Sequence, residues 1–502
     1  METLLQNLAM GFSVLANPIV ILYALGGVLC GVIIGALPGL GPSVGIAVLL
    51  PLTYGMEPAA GIILLSGIYY GAMYGGSITA ILINTPGDSA AVMTTLDGYP
   101  LTLKGQAGKA LGMAAYSSVI GGTVSVVAFM LFAPVIASYA LAFGSSEYFA
   151  LMILGLASIA GMTGDSPTKG FFAAFVGLFI ALIGLDLVTG VQRYVFGNVH
   201  LFSGIDFIPV AMGLFGIAEI ISDNGTGGII VDKDSLKLKN LFPTKGEWKE
   251  CLPHIGRGTG LGFFVGMLPG AGATIASFLS YSMAKKISKR GKEFGSGVLE
   301  GVAAPESANN AASMGAMIPM LTLGVPGSGS TAIMMGALMM LGITPGPSLF
   351  MKEAEVAWSL VASMYIGNIF LLLLGVLGLP IFVRVLKVKA PILNSIVLAF
   401  ILIGSYALEN SMFTVGITIF FGVIGYFMKK VKVPAAPMIL AIVLGYLTES
   451  NLRQALIIGD GSIINVVTKP ISAVILVIAL IMAFGTPITE MIKRKVMKNT
   501  AV

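Results

Sequence analysis

Runs of apolar residues, cut by short polar stops, occupy almost the whole chain. An unbroken run of about 20 residues predicts one membrane-spanning helix. Such runs lie at 110–137, 148–163, 170–187, 205–221, 356–383, 390–406, 411–428, 434–447 and 470–492. Four further stretches are broken inside. Leu37-Pro38-Gly39-Leu40-Gly41-Pro42-Ser43 interrupts 18–52, and Leu268-Pro269-Gly270-Ala271-Gly272-Ala273-Thr274 interrupts 256–284. Asn84-Thr85-Pro86-Gly87-Asp88-Ser89 interrupts 59–103, and Gly324-Val325-Pro326-Gly327-Ser328-Gly329-Ser330-Thr331 interrupts 298–349. Proline removes a backbone donor and glycine loosens the chain, so neither suits the middle of a spanning helix. Non-helical backbone at membrane depth persists only where protein or a water-filled cavity satisfies it. Paired breaks in corresponding places of two halves point to a transport site.

The breaks recur in order. Pro38-Gly39 is matched by Pro269-Gly270, 231 positions later, and Pro86-Gly87 by Pro326-Gly327, 240 later. On the second spacing, Tyr70-Gly71-Ala72-Met73-Tyr74-Gly75 overlies Asn310-Ala311-Ala312-Ser313-Met314-Gly315. Pro209-Val210-Ala211-Met212, with Gly216 and Glu219, resembles Pro437-Met438-Ile439-Leu440 with Gly445 and Glu449. The shared order predicts an internal repeat.

Basic residues orient the copies. Lys233 to Lys249, Lys285 to Lys292, Arg384 to Lys389, Lys429 to Lys432 and Lys493 to Lys498 are expected in the cytoplasm. Stretch 256–284 then has both ends on one side and predicts a re-entrant hairpin. In the first half the matching loops lack Lys and Arg, so hairpin 18–52 is expected to open outside. Arg193, Lys352, Arg453 and Lys469 fall outside as a tolerated minority. The expectation is an all-α polytopic membrane protein of two inverted-topology repeats, each with a re-entrant hairpin and a broken helix, with about 11 crossings. The first repeat spans 1–222, a cytoplasmic linker 223–255, the second repeat 256–450, and a C-terminal helix with a basic cytoplasmic tail 451–502. The linker's alternating Lys233-to-Lys239 segment reads as a short strand or a stretch lying on the headgroups, and the linker as a solvated connector rather than a regulatory domain.

Composition agrees with this class. Of 502 residues, 56% are hydrophobic and 10% charged, far below the roughly 25% charged of a soluble domain. The 66 glycines fit closely packed membrane helices. The net charge of +5 sits mostly in short loops and the tail, an orientation signal rather than a nucleic-acid footprint. Cys30 and Cys251 are too far apart in sequence to suggest a disulfide framework or metal knuckle. The start, with Glu2 and no basic n-region, predicts no cleavable signal peptide. His200 and His254 are expected in loops, and no phosphate-binding P-loop occurs, so neither an enzyme nor ATP consumption is indicated.

A helix that starts inside a membrane offers unpaired amides and the positive end of its dipole, which suits a carboxylate. The substrate-binding candidates are Pro38, Gly39, Gly41, Ser43, Asn84, Thr85, Gly87, Pro269, Gly270, Gly272, Thr274, Asn309, Asn310, Gly327, Ser328, Ser330 and Thr331. For each hydroxyl alone, plain N-capping is the competing role. Glu306 lies in apolar sequence and is a functional residue by default at that depth. It either carries a proton, helps hold Na⁺ with backbone carbonyls, or is a protonated structural acid. Asp88 is either a second ion-coupling acid or an N-cap. Asp97, in Asp97-Gly98-Tyr99-Pro100, is expected to make a turn near the cytoplasmic rim. Tyr69, Tyr70 and Tyr74 read as packing residues.

At these residues the chain resembles the large membrane subunit of the tripartite tricarboxylate transporter family, TctA. The resemblance rests on Gly35 to Pro42, Tyr74 to Gly87, Asp97 to Pro100 and Ala304 to Ala312, and covers nearly the whole chain. It implies a secondary active transporter in the bacterial cytoplasmic (inner) membrane, importing citrate-like di- or tricarboxylates by Na⁺ or H⁺ symport. It also implies two partners: a small membrane subunit (TctB-like) and an extracytoplasmic solute-binding protein (TctC-like). No cofactor is implied. A passive anion channel is the alternative reading.

Overall fold

The computed structural model describes residues 2–37, 41–84, 86–140, 143–157, 167–186, 191–222, 240–268, 272–379, 382 and 390–483. Pro38, Gly39, Thr85, Pro269 and Gly270 lie outside the described residues, as do the charged segment 233–239, Arg384 to Lys389 and the basic tail. Among the described residues the chain is helical, apart from an antiparallel pairing of Gly184–Leu185 with Gln192–Arg193.

The first half begins with α1 (Glu2–Leu15), an element the apolar runs did not single out. It is followed by α2 (Pro18–Gly35) and α3 (Pro42–Leu49) on either side of the first glycine-proline turn. Next, α4 (Pro58–Ile83) and α5 (Val92–Leu103) flank the first break, with a 3₁₀ turn, Ser89–Ala91, ahead of α5. Then come α6 (Ala107–Ala140), α7 (Ser145–Ala157), α8 (Pro167–Ala181) and α9 (Phe207–Ser222).

In the second half, α10 (Lys245–Met267) and α11 (Gly272–Ile287) flank the second glycine-proline turn. The second break separates α12 (Glu300–Leu323) from α13 (Gly329–Met340). The chain continues through α14 (Ala354–Leu377), α15 (Ala390–Glu409), α16 (Met412–Lys430), α17 (Ala436–Ile458) and α18 (Pro470–Ala483). Five of the described helices, α2, α4, α6, α14 and α16, are long and apolar enough to cross a membrane.

Two boundaries differ from expectation. Stretch 256–284 was expected to hold its turn at the middle, yet α10 starts at Lys245, because Thr244 and Glu247 form a reciprocal capping box. That extension puts His254 inside a helix, where it is buried. It also removes 245–255 from the expected solvated connector. Leu241 is buried against α6, and Lys109 pairs with Glu247 at 2.7 Å. Likewise α17 continues past the expected end at 447, where Glu449 and Arg453, one turn apart, form a 2.6 Å ion pair.

Small residues let the interrupted helices pack backbone to backbone. A Cβ on Gly27, Gly31 or Gly35 of α2 would fall 2.2–2.4 Å from the carbonyls of Leu64, Ile68 or Ala72 of α4. In the second half, a Cβ on Gly262 or Gly266 of α10 would fall 2.3 Å from the carbonyls of Ala308 or Ala312 of α12. In each pair, contacts advance in the same direction along both helices, so the partners run parallel. Such approach is the general device for helix association where water supplies no driving force.

Gly262→Ala is therefore expected to destabilise the protein by about 1–3 kcal/mol, the typical cost of overpacking. Gly260→Ala, with nothing within 4 Å, should be neutral. Thermal unfolding of the detergent-purified variants, followed by size-exclusion chromatography, checks the pair; equal melting would refute the packing account.

Candidate functional site

The two breaks are built alike. α4 ends on Asn84, whose left-handed backbone (φ 56°) caps the helix, and α12 ends on Gly324 in the same conformation (φ 67°). Pro86-Gly87 and Pro326-Gly327 then fold the chain back. The amide of Gly87 donates to Gly76 O at 3.2 Å, and a Cβ on Gly87 would strike Gly35 O at 2.0 Å. A Cβ on Gly327 would meet Ala316 at 3.1 Å and Gly266 O at 3.2 Å. Each new helix start is capped by a polar side chain. Asp88 accepts from the Ala91 amide at 3.0 Å. Ser328 accepts from the Thr331 amide, while Thr331 Oγ1 accepts from the Ser328 amide at 2.8 Å.

Four helix starts converge through these turns. Ser43 at the head of α3 meets Ser330 at the head of α13, Oγ to Oγ 2.9 Å. Ser89, ahead of α5, meets Thr274 at the head of α11, hydroxyl to hydroxyl 2.7 Å. Gly41, the N-cap of α3, faces Asp88 so closely that a Cβ would lie 3.2 Å from its side chain. The Tyr69 hydroxyl reaches Ser328. Of the candidates, Gly41, Ser43, Gly87, Asp88, Gly272, Thr274, Gly327, Ser328, Ser330 and Thr331 thus stand at or beside these starts. Asn84 contributes its backbone as a cap, with the residue exposed. Tyr70 and Tyr74 pack away from the starts, their hydroxyls donating to carbonyls of α14 at Ser363 and Gly375.

Glu306, Asn309 and Asn310 form a separate buried group on α12. All three are fully enclosed. Thr94 of α5 donates to Glu306 Oε1, and Ser118 of α6 donates to Oε2 at 3.2 Å. Among the described residues the carboxylate is met by hydroxyls rather than by a basic side chain. Asn309 donates through Nδ2 to Met73 O at 3.1 Å. The Oδ1 atoms of Asn309 and Asn310 are buried without a partner. A sealed carboxylate with hydroxyl donors and spare oxygen acceptors fits a site that takes up a proton or a hard monovalent cation.

Two constellations were not anticipated. Asp97, expected to make a turn, lies within α5 and is fully buried. Its carboxylate accepts distant backbone amides of the loop before α12, so the helix runs on to Leu103 instead of turning. The second is at the end of α17. Arg193 and Arg453, expected only as outer charges that the orientation rule tolerates, share Asp186 and Glu449 at 2.6–3.5 Å and line a cavity of about 590 Å³. The Glu449-to-Arg453 spacing was the available signal for this network; for Asp97 no local signal exists.

Interrupted helices, a polar junction of helix starts and a sealed acid define a multi-pass membrane protein of transporter type. The chain belongs to the tripartite tricarboxylate transporter TctA family, whose model matches residues 21–440. That is a transporter family, not an enzyme family. The chain is 41% identical over 483 residues to an uncharacterized 52.8 kDa protein in the TAR-I ttuC' 3' region of Agrobacterium vitis, covering 96% of this chain and 95% of that one. It is also 42% identical over 220 residues to an uncharacterized protein in the TAR-II ttuC' 3' region of the same organism, covering 44% of this chain and 91% of that one. No solved structure matches the chain.

The junction has a direct geometric test. Cysteine pairs replacing Ser43 with Ser330, or Ser89 with Thr274, are expected to form disulfides in membranes under mild oxidation, read as a gel shift that reductant reverses. Single-cysteine controls should show none, and failure of both pairs would dissolve the junction.

Proposed function

We propose that the protein imports a citrate-like di- or tricarboxylate by secondary active transport, with the four helix starts as its binding site. The observation that carries this reading is the meeting of Ser43 with Ser330 and of Ser89 with Thr274. These contacts join helix starts from both halves of the chain. Amides and hydroxyls at helix N-termini suit an anion, and the converging turns contain no Lys, Arg or His. Weak, multiple donors hold a carboxylate while leaving it free to depart on the other side.

The two halves act as inverted repeats, each with a re-entrant hairpin and a broken helix, within about 11 crossings. Support for the repeat comes from matched contacts: Gly31 of α2 against Ile68 and Gly262 of α10 against Ala308, Gly87 near Gly35 and Gly327 near Gly266, keep the sequence spacings of 231 and 240. Hairpins and broken helices form the moving block, and α6 and α14 belong to the scaffold. Glu306, with Asp88, carries the coupling ion, Na⁺ or H⁺. The family description supports a small TctB-like membrane subunit and a TctC-like extracytoplasmic binding protein as partners. The setting is the bacterial inner membrane with the C-terminus cytoplasmic, as the basic loops suggest.

Reconstitution into proteoliposomes with both partner subunits tests the reading. Labelled citrate is expected to accumulate above equilibrium only with an inward Na⁺ or H⁺ gradient, and Glu306→Gln should abolish accumulation. Uptake that merely equilibrates would mark a passive pore. Ser43→Ala combined with Ser330→Ala should raise the half-saturating citrate concentration about 10- to 150-fold, the worth of one hydrogen bond to a charged group. An unchanged value would remove the helix starts from the binding site.

A further inference from the structure

Asp97 is a fully buried carboxylate whose bonds all leave its own helix. Oδ1 accepts three backbone amides, from Gly295 at 3.0 Å, Gly297 at 2.8 Å and Val298 at 2.9 Å. Oδ2 accepts the Tyr281 hydroxyl at 2.8 Å. The donors lie on α11 and on the loop joining it to α12. That loop takes its shape from Gly295 and Gly297, both in positive φ (93° and 99°), which turns successive amides toward one anion. Gly301, in the first turn of α12, lies against the carboxylate; a Cβ there would sit 2.0 Å from Oδ2.

The same helix makes two other polar contacts with the second half. Thr94, one turn before Asp97 and so on the same face, donates to Glu306 of α12. Ser89, just ahead of α5, meets Thr274 of α11. The chain is therefore laced to α11 just ahead of α5, by Ser89 with Thr274, and at the middle of α5, by Asp97 with Tyr281, and to α12 between them. The position 240 residues before Gly301 is Gly61, and there the close neighbour is the apolar Leu341, its Cδ1 2.9 Å from a built Cβ. Among the described residues, the polar clamp lies on the side that carries Glu306, and an apolar contact stands at the matching position.

We infer that Asp97 is a positioning residue for transport: by clamping the loop ahead of α12 it fixes α5, so that Thr94 meets Glu306 and Ser89 meets Thr274. It touches neither cargo nor ion. Its consequence for transport rests on the ion-carrying role proposed for Glu306, whereas its geometric effect is measurable without any substrate.

The test is carried out on the full chain in detergent and in native membranes. Dicyclohexylcarbodiimide modifies carboxyl groups in apolar surroundings, and peptide mapping by mass spectrometry reads Glu306 alone. Asp97→Ala is expected to speed Glu306 labelling about tenfold, in line with loss of charge-assisted hydrogen bonds that hold its neighbour. It should also slow disulfide formation between cysteines at 89 and 274. Asp97→Asn keeps an oxygen able to accept the loop amides and should restore both readouts to near wild type. Where Asp97→Ala does not yield monodisperse protein, Gly301→Ala displaces the carboxylate without deleting it, and the same two changes are expected. Wild-type labelling and cross-linking rates in monodisperse Asp97→Ala or Gly301→Ala protein would overturn the inference. Altered labelling and cross-linking in these variants, together with wild-type protein that fails to transport citrate, would instead count against the proposed function alone.

Discussion

Backbone amides freed inside a packed membrane protein must be met by something, and the rest of this structure follows from how they are met. At Asn84 and Gly324 the helix closes on a left-handed cap. A few residues later a polar side chain, Asp88 or Ser328, receives amides of the next helix. Between cap and restart the chain folds back over its own helix, which demands glycine at position 87, where a Cβ would strike Gly35 O at 2.0 Å, and leaves only tight space at position 327, 3.1 Å from Ala316. The glycine-lined packing of α2 on α4 and α10 on α12 is the wider form of the same constraint. Backbones that approach this closely bring the helix starts within hydrogen-bond reach of one another.

That convergence separates two kinds of chemistry. The helix starts supply hydroxyls and amides at a partly open junction, the donor chemistry that helix N-termini generally offer an anion. Glu306 is enclosed, with Thr94 and Ser118 as its donors and two orphaned amide oxygens a turn away. An isolated charge in such a place is costly, which is the physical ground for the ion-carrying role proposed for Glu306. The halves are not equivalent here. At the positions 240 residues before Glu306, Asn309 and Asn310 stand Ser66, Tyr69 and Tyr70. Ser66 bonds its own helix at Ile62 O, and Tyr70 reaches across to α14. The Tyr69 hydroxyl reaches Ser328 at the junction, so the matching place in the first half holds hydroxyls and no carboxylate.

Much of the helix pattern was legible because its causes are local. Apolar runs, prolines and glycines act within a few residues of themselves, so the breaks at 84–88 and 324–328 were readable as such. Errors arose where a partner far along the chain decided the matter. Asp97-Gly98-Tyr99-Pro100 has the composition of a turn, yet amides about 200 residues away hold the aspartate inside a helix. Arg193 and Arg453 read only as outer exceptions to the charge rule, and their pairing with Asp186 and Glu449 comes from the fold. The start of α10 at Lys245 was a different kind of miss, since its capping box is local and visible in Thr244 and Glu247.

The sequence by itself determined the membrane class, the family, the positions where helices break and the residue types placed at each restart. Those properties depend on hydrophobicity and backbone chemistry, which each residue carries wherever it sits. The tertiary structure alone decided that Ser43 faces Ser330, that Ser89 faces Thr274, and that Glu306 is sealed by hydroxyls from α5 and α6. Burial and hydrogen-bond partnership belong to pairs of residues brought together by packing, and no single stretch of chain contains them.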